Sequence, residues 1–464
     1  MSPVEHLHPQ IFREYDIRGI VGETLTTETA TRVGKAFGTI LMEAGGHSVA
    51  VGYDGRLTSP ALEQALVAGL EGTGCLVMRI GRGPTPMLYF ATHHLAADAG
   101  ITVTGSHNPP EYNGLKMSLA GRPFFGEDIQ RLYRLAAAGT FAGAAGTVED
   151  RPVEDAYVRR LLADFEPGNP LSVAWDPGNG AAGDVVRRIS AELPGRHLLI
   201  NDVVDGRFPA HHPDPTVEAN LQQLRDLVAA ERCDLGIAFD GDGDRLGVID
   251  AKGRVLWGDQ LLLILARPVL AELPGATIIA DVKASQVFFD EIARMGGKPL
   301  MSRTGHSPIK TLMAKTGAPL AGEMSGHIFF AHRYYGFDDA LYAALRLLSI
   351  LGRSSTSLTA IADTLPKALN TPELRIDCPE DRKATVIKEV RSRLARTGGV
   401  RVLDVDGVRV SSDEGWWLLR ASNTQPVLVG RCESQSREGL RRQIDQLTAQ
   451  LRLSGIEPPD FAGP

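Results

Sequence analysis

The sequence predicts an α/β protein: three repeated α/β domains with mixed, mostly parallel sheets, followed by a smaller C-terminal α+β domain. Three observations carry this expectation: a strand–loop–helix pattern that occurs three times, a polar loop at the same place in every copy, and a change of pattern after Thr371. Each copy opens with an apolar run that ends in Asp and a small-residue loop, and an amphipathic stretch of helical period follows. These openings are "SVAVGYDGRLTSPALEQALVAGL", "LSVAWDPGNGAAGDVVRRISAEL" and "ATIIADVKASQVFFDEIARMGG". A second short strand ends in a loop containing Gly and Pro: "CLVMRIGRGPTP", "HLLINDVVDGRFP" and "KPLMSRTGHSP". After a further helical stretch, a third strand enters a polar loop: "ITVTGSHNPP", "LGIAFDGDGDR" and "APLAGEMSGH". Alternating strands and helices mean βαβ units.

Beyond Thr371, "ELRIDC" reads as a strand and "EDRKATVIKEVRSRLARTG" as an amphipathic helix. An antiparallel strand series follows, with turns at Asp406-Gly407 and from Asn423 to Pro426, and "REGLRRQIDQLTAQLRLSG" closes the chain as a helix. The expected domains are residues 1–151, 152–254, 255–367 and 368–464.

Composition narrows the function classes. A chain of 464 residues has material for several cores. Its 43% hydrophobic and 23% charged residues describe a globular protein. A net charge of −7 argues against nucleic acid or an anionic membrane as partner. Cys75, Cys233, Cys378 and Cys432 lie far apart without metal or redox spacing, which favours reduced thiols. The start "MSPVEHLHPQ" lacks a signal-peptide layout, and no apolar run approaches membrane-spanning length. A cytoplasmic location is expected.

The three polar loops carry the chemistry. Loops at the carboxyl ends of strands are where open α/β sheets hold ligands, so three unlike loops at one repeated position suggest one composite site. In "TGSHNPPEYNGLKM" two prolines remove backbone donors and stiffen an exposed connection that starts with Ser106. A rigid loop suits a side chain that must be held still, although the same residues would also serve as a plain turn. In "DGDGDR", Asp240, Asp242 and Asp244 would repel one another without a divalent cation between them. The calcium EF-hand template fails here, because its sixth position is Arg245 instead of Gly and its twelfth is Ala251 instead of Glu. Mg²⁺ suits a few carboxylates plus substrate oxygens, and an arginine beside it suits an anion such as phosphate.

"GEMSGH" spaces Glu323, Ser325 and His327 two residues apart, so in an extended loop all three would point the same way, as sugar hydroxyls require. "RASNTQP" offers Arg420, Ser422, Asn423 and Thr424 on a turn, a natural anion cradle. Arg18 in "FREYDIRG" and Lys116 after the serine loop add positive charge. Taken singly, each of these also reads as a satisfied loop or a surface ion pair. A rival reading is a nicotinamide dehydrogenase. "GNGAAG", Gly178 to Gly183, has the glycine spacing of a dinucleotide fingerprint, and Asp202 stands near the ribose-acid position. Against it, Asp176-Pro177 sits inside the turn and the other two copies lack the glycines, so a tight βα turn explains the match more simply. A non-catalytic sugar-phosphate-binding protein is the third alternative.

"TGSHNPPEYNGLKM", "DGDGDR", "GEMSGH" and "RASNTQP", in this order, resemble the α-D-phosphohexomutases. "FREYDIRG" and the methionine of "GEMSGH" resemble the bacterial phosphomannomutase/phosphoglucomutase branch, and the likeness runs from about Phe12 to the last helix. The resemblance implies four domains around one central cleft, the last smaller and partly mobile, and a phosphohexomutase that works on hexose phosphates. It implies that Ser106 is the phosphoserine carrier and that Asp240, Asp242 and Asp244 bind Mg²⁺, with a phosphoserine oxygen as a further ligand. Arg18, His107, Lys116 and His327 would surround the transferring phosphoryl group. Glu323 and Ser325 would hold sugar hydroxyls, and Arg420, Ser422, Asn423 and Thr424 would clamp the non-reacting phosphate. Tyr15, Arg245, Lys283 and His306 match positions that line the cleft. Gln425 departs from the Glu or Thr usual in related enzymes. A hexose 1,6-bisphosphate is the implied primer and intermediate, phosphosugars are the implied partners, and the expected assembly is a monomer or weak dimer.

Overall fold

Four sheets follow one another along the chain in the computed structural model, which describes residues 7–395, 399–422 and 425–458. At the centre of the first, Ser48–Tyr53 lies in parallel between Leu76–Arg82 and Ala99–Val103, and Tyr112–Leu119 runs back antiparallel to Ala99–Val103. Ile17–Ile20 adds antiparallel to Tyr112–Leu119, and Thr147–Asp150 extends the opposite side. The second sheet repeats the core of this order, with Leu171–Asp176 between Gly195–Leu199 and Leu235–Phe239, and Leu246–Asp250 antiparallel to the last. In the third, Thr277–Asp281 lies between Lys298–Ser302 and Leu320–Gly322, and Ile328–Phe330 returns antiparallel. One strand order thus occurs three times.

That order fixes where the polar loops fall. In each copy the chain must reverse between its third strand and the antiparallel neighbour, and residues 104–111, 240–245 and 323–327 are those reversals. The strands feeding them read as unbroken apolar runs because both faces are covered: Ala99–Val103 and Leu235–Phe239 are buried at every position.

The fourth sheet is antiparallel, in the order Leu369–Asn370, Val427–Ser434, Gly415–Ala421, Val408–Ser412 and Arg401–Leu403, with Leu374–Asp377 also paired to Val427–Ser434. The helices Glu380–Leu394 and Arg437–Leu453 pack on it. A single apolar cluster runs through all three repeated units, from Met87 to Phe90 through Trp175 and Phe239 to Phe288 and Leu345. The fourth unit has its own core around Trp417 and Leu447. It meets the third through Val282, Trp416 and Leu418. There the buried Arg409 guanidinium donates to the Val282 and Ala284 carbonyls at 2.7 and 2.9 Å and stacks 3.8 Å from the Trp416 ring. Arg431 donates to the Lys283 carbonyl at 2.8 Å.

Asp339 ties the second unit to the third. Its carboxylate caps the helix Ala340–Arg353 by accepting from the Tyr342 N–H at 2.9 Å. Its other oxygen accepts from the Tyr157 and Tyr334 hydroxyls at 2.9 and 2.8 Å. Asp339→Ala removes the cap and strands two buried hydroxyls, so denaturant unfolding is expected to show a loss of about 3 kcal/mol or more. Burial raises this carboxyl from 3.8 to about 6. The folded chain therefore holds the proton more tightly than the unfolded chain. The group's stabilising contribution is full below about pH 4 and is lost as pH rises through about 6. Wild type is expected to lose stability relative to Asp339→Asn across that window.

Candidate active site

The serine loop leaves Ala99–Val103 and closes at once on itself. Thr104 Oγ1 accepts from the Ser106 N–H at 2.9 Å, and the Asn108 and Tyr112 N–H groups bond back to the Gly105 and Pro109 carbonyls. Ser106 has φ +49, a left-handed conformation that costs a non-glycine residue about 1 kcal/mol or more. This conformation turns its side chain toward the second unit, where Oγ donates to Asp240 Oδ2 at 3.0 Å and lies 3.1 Å from His107 Nδ1.

Asp240, Asp242 and Asp244 are all fully buried, in the reversal between two antiparallel strands. Asp240 Oδ1 accepts the N–H groups of Asp244 and Arg245, each at 3.1 Å, and so shapes the turn. Asp242 Oδ2 accepts from Thr85 Oγ1 at 2.5 Å, Thr104 Oγ1 at 3.1 Å and Lys116 Nζ at 2.7 Å. Lys116 also meets Asp244 Oδ2 at 2.5 Å. Burial opposes the ammonium charge, but Asp242 and Asp244 outweigh it and raise the group well above its ordinary value. Burial, Asp244 and Asp242 push the Asp240 carboxyl well above the carboxylate range. Asp242 Oδ1 and Asp244 Oδ1 are buried without a hydrogen-bond partner, and ligand atoms from all three aspartates lie within 4.8 Å of one another. An all-oxygen set with spare lone pairs and excess negative charge fits a hard divalent cation.

Positive groups converge on the same point. Arg18 pairs with Gly114 across adjacent strands, so Arg18 and Lys116, two residues beyond Gly114, project from one face of the sheet. Arg18 donates to the Asn108 side chain and to Asp16. Arg245 Nε donates to His327 Nε2 at 3.1 Å. That bond puts the ring proton of a neutral His327 on Nδ1, which faces Asp338 Oδ2 at 3.2 Å and Asp244 Oδ1 at 3.5 Å. Asp244, His327 and Asp338 thus form a second close group of potential ligand atoms, although a metal on Nδ1 would set the Nε2 proton against the arginine donor. Lys310 neutralises the other Asp338 oxygen at 2.9 Å. His306 sits with its ring 5.9 Å from that of His327, and burial and Lys310 keep it well below its ordinary pKa. Burial, Arg245 and Arg18 do the same to His107.

The third loop differs from the expected extended run. The Glu323 N–H bonds to the His327 carbonyl at 2.9 Å and the Gly326 N–H to the Glu323 carbonyl at 3.0 Å, so the segment is a tight turn. Gly326, at φ +93, lies so close to the acidic loop's exit strand that a Cβ would be 2.5 Å from the Leu246 carbonyl oxygen. Alternation therefore does not align the three side chains. Glu323 is buried, with Oε1 accepting from the Gly305 N–H at 2.6 Å, His327 turns to the acidic loop, and Ser325 stands half-buried at the tip.

From the fourth unit, Arg420 Nε donates to Asp406 Oδ2 at 2.8 Å, and the Thr304 N–H donates to the same oxygen at 3.1 Å. Tyr15 reaches across from the first unit to donate to the Thr304 carbonyl at 2.8 Å. Ser422 Oγ accepts from the Gln425 N–H at 3.2 Å, and Arg375 holds the Gln425 side chain. Asn423 and Thr424 lie outside the described residues. Lys283 pairs with Glu373 at 3.1 Å.

Sequence reasoning did not single out Thr85, Thr104, Lys310, Asp338 or Asp406 as site residues; Thr104 opens the serine-loop stretch, and the other four lie in no motif with a recognisable spacing. Asp54 and Asp281 carried a signal as the repeated strand-end aspartates: Asp54 accepts from the Gly105 N–H at 3.1 Å and Asp281 from the Met324 N–H at 3.2 Å. The glycines of the dinucleotide-like turn have a packing cause. A Cβ on Gly180 would lie 2.8 Å from the Gly241 carbonyl oxygen, so the turn packs backbone to backbone under the acidic loop. Asp202 is paired with Arg187 at 2.9 Å. Among the described residues, no helix is long and apolar enough to cross a membrane.

Models of the phosphoglucomutase/phosphomannomutase alpha/beta/alpha domains I, II and III match residues 9–143, 155–253 and 257–369, and the model of the C-terminal domain matches 373–450. The chain belongs to the phosphoglucomutase/phosphomannomutase family. It is 44% identical over 436 residues to the phosphomannomutase/phosphoglucomutase of Pseudomonas aeruginosa, covering 94% of each chain. It is 42% identical over 435 residues to the phosphoglucomutase of Neisseria gonorrhoeae, covering 93% of this chain and 94% of that one. A crystal structure of a family protein from Burkholderia thailandensis superposes with a TM-score of 0.92 at 41% identity, over 98% of this chain and 100% of the other. The dehydrogenase and non-catalytic binding readings find no support among these relatives.

Calorimetric titration of the protein with Mg²⁺ is expected to show one site. Asp242→Asn, which removes a charge and little volume, is expected to weaken that site at least tenfold without changing the circular dichroism spectrum.

Proposed function

We propose that the protein interconverts hexose 1-phosphate and hexose 6-phosphate, with glucose, mannose or both as the hexose, through a phosphoserine at Ser106 and a hexose 1,6-bisphosphate. The observation that carries this reading is Ser106 Oγ, fixed by a strained loop 3.0 Å from one of three buried carboxylates. Phosphoryl transfer asks for positioning and charge neutralisation more than for covalent chemistry. We assign the domains to residues 1–151, 152–254, 255–367 and 368–464 and the location to the cytoplasm.

In the first half-reaction a sugar hydroxyl oxygen bonds to the phosphorus of phospho-Ser106 as the P–Oγ bond breaks, which leaves the bisphosphate and free serine. In the second, Ser106 Oγ bonds to the phosphorus of the other phosphate of the turned intermediate as that phosphorus parts from its sugar oxygen, which takes up the proton the serine gives up. His107 Nδ1, 3.1 Å from Ser106 Oγ, is placed to take the serine's hydroxyl proton. Mg²⁺ held by Asp240, Asp242 and Asp244 would neutralise the phosphoryl oxygens. Arg18, Lys116 and His327 surround the same group. Glu323 and Ser325 hold sugar hydroxyls. Arg420, Ser422, Asn423 and Thr424 grip the phosphate that is not reacting, while Tyr15, Arg245, Lys283 and His306 line the path between the two ends. Glucose and mannose differ at C2, so a site that reads other hydroxyls accepts both.

Peptide mass spectrometry after incubation with glucose 1,6-bisphosphate is expected to find phosphate on Ser106, and Ser106→Ala to abolish turnover of glucose 1-phosphate. Turnover without phosphate on Ser106 would remove it as carrier. A second expectation concerns the fourth unit, whose part is to bind and not to transfer. A guanidinium meets phosphate through two parallel hydrogen bonds and an ammonium through one point charge. Arg420→Lys is expected to weaken both monophosphates, by roughly ten- to hundred-fold. Loss of affinity for one isomer alone would contradict a clamp that serves both orientations.

A further inference from the structure

The Arg56 guanidinium is buried behind the serine loop and belongs to the first repeat's small-residue loop "DGR". Its two terminal nitrogens serve four main-chain carbonyls. One donates to Pro109 and Tyr112 at 2.6 and 3.0 Å, the other to Ser106 and Asn108 at 2.8 and 2.6 Å. All four belong to the loop that carries the nucleophile or to its exit, so four carbonyls of one loop converge on one side chain.

Asp54 holds the arginine in place. Its Oδ2 lies 3.3 Å from Arg56 Nε and accepts from the Gly105 N–H, while Oδ1 accepts from the Arg56 N–H at 3.0 Å and the Ser59 hydroxyl at 2.6 Å. From the second unit, the Phe208 ring lies 5.1 Å from the guanidinium carbon. The fit leaves no slack on the loop side: a Cβ on Gly105 would be 2.4 Å from Arg56 Nε. A left-handed Ser106 turns its own carbonyl inward, and an inward carbonyl without a donor would carry its full desolvation cost. A planar fork of five N–H groups suits this array, whereas an ammonium does not.

We propose that Arg56 is the positioning residue for the nucleophile: by collecting the carbonyls of residues 106, 108, 109 and 112 it holds Ser106 in its left-handed conformation and aims Oγ at the acidic loop. The inference rests on the mutase reading, and it adds a residue that touches neither substrate nor metal. Arg56 sets the rate of both phosphoryl steps and leaves the affinity for sugar phosphates to the third and fourth units.

The test compares wild type, Arg56→Lys and Arg56→Ala for kcat on glucose 1-phosphate, for Kd of glucose 1-phosphate by calorimetry, for the rate at which Ser106 gains phosphate from the bisphosphate, and for thermal unfolding. The expected result is a fall in kcat and in Ser106 phosphorylation of about hundred-fold in both variants, with Kd within about three-fold of wild type. Guanidinium ion at millimolar concentration is expected to restore part of kcat in Arg56→Ala, and methylammonium to restore none. Turnover within about three-fold of wild type in either folded variant overturns the proposal, as does a fall in kcat matched by an equal loss of sugar-phosphate affinity. Should Arg56→Ala fail to fold, the kcat and Kd of Arg56→Lys decide alone. Absence of turnover in wild type would instead overturn the mutase reading.

Discussion

Three carboxylates buried within reach of one another must be compensated, and much of the molecule is arranged around that constraint. Removing one unpaired carboxylate from water costs several kcal/mol, so Asp240, Asp242 and Asp244 are tolerable only because cations and donors arrive from other parts of the chain. Lys116 and Thr104 come from the first unit, and Thr85 reaches over from the helix Thr85–His94. Arg245 comes from the acidic loop itself. The compensation is therefore distributed over two units. It stays incomplete at two oxygens, and that remainder suits the site to a divalent cation.

The part of this that the sequence made legible is the part that lies along one stretch of chain. The strand-end loops were visible because apolar runs stop abruptly at Gly- and Asp-rich segments, and the carboxylate triad because its members are spaced by single glycines. Contacts outside one short stretch of chain left no such trace. Asp338 sits in an unremarkable "GFDDA", and nothing in that string says that one aspartate faces His327 while its neighbour caps a helix and binds two tyrosines. The "GEMSGH" loop misled for a related reason. Alternate spacing suggests a shared face only in extended backbone, and a glycine at φ +93 against a neighbouring strand folds the segment into a turn.

The repeated strand-end aspartates show how one scaffold position is put to different uses. Asp54 and Asp281 both reach forward to an N–H of their unit's third-strand loop, which anchors that loop to the sheet. Asp176 accepts instead from the Gly178 N–H of its own turn and from His211, because in the second unit the glycine turn itself packs beneath the acidic loop. Two residues further on, the first unit carries Arg56 and the third Lys283. One cation is spent inward on the serine loop, and the other lies between the third unit and Glu373.

The contacts between units close into a circuit. The first meets the second at Ser106 and Asp240, the second meets the third at Arg245 and His327, and the third meets the fourth at Arg409 and Trp416. A further joint runs from the third unit back to the first where Tyr15 reaches the Thr304 carbonyl, beside the fourth unit's Asp406 that holds Arg420. The joints differ in kind. The first three units share a continuous apolar core, a stacked, buried arginine backs the junction of third and fourth, and at the Tyr15 joint the hydroxyl meets a carbonyl while the ring lies 6.1 Å from that of His306. Tyr15 thus sits where three units meet, and a change at that one side chain is felt by all of them.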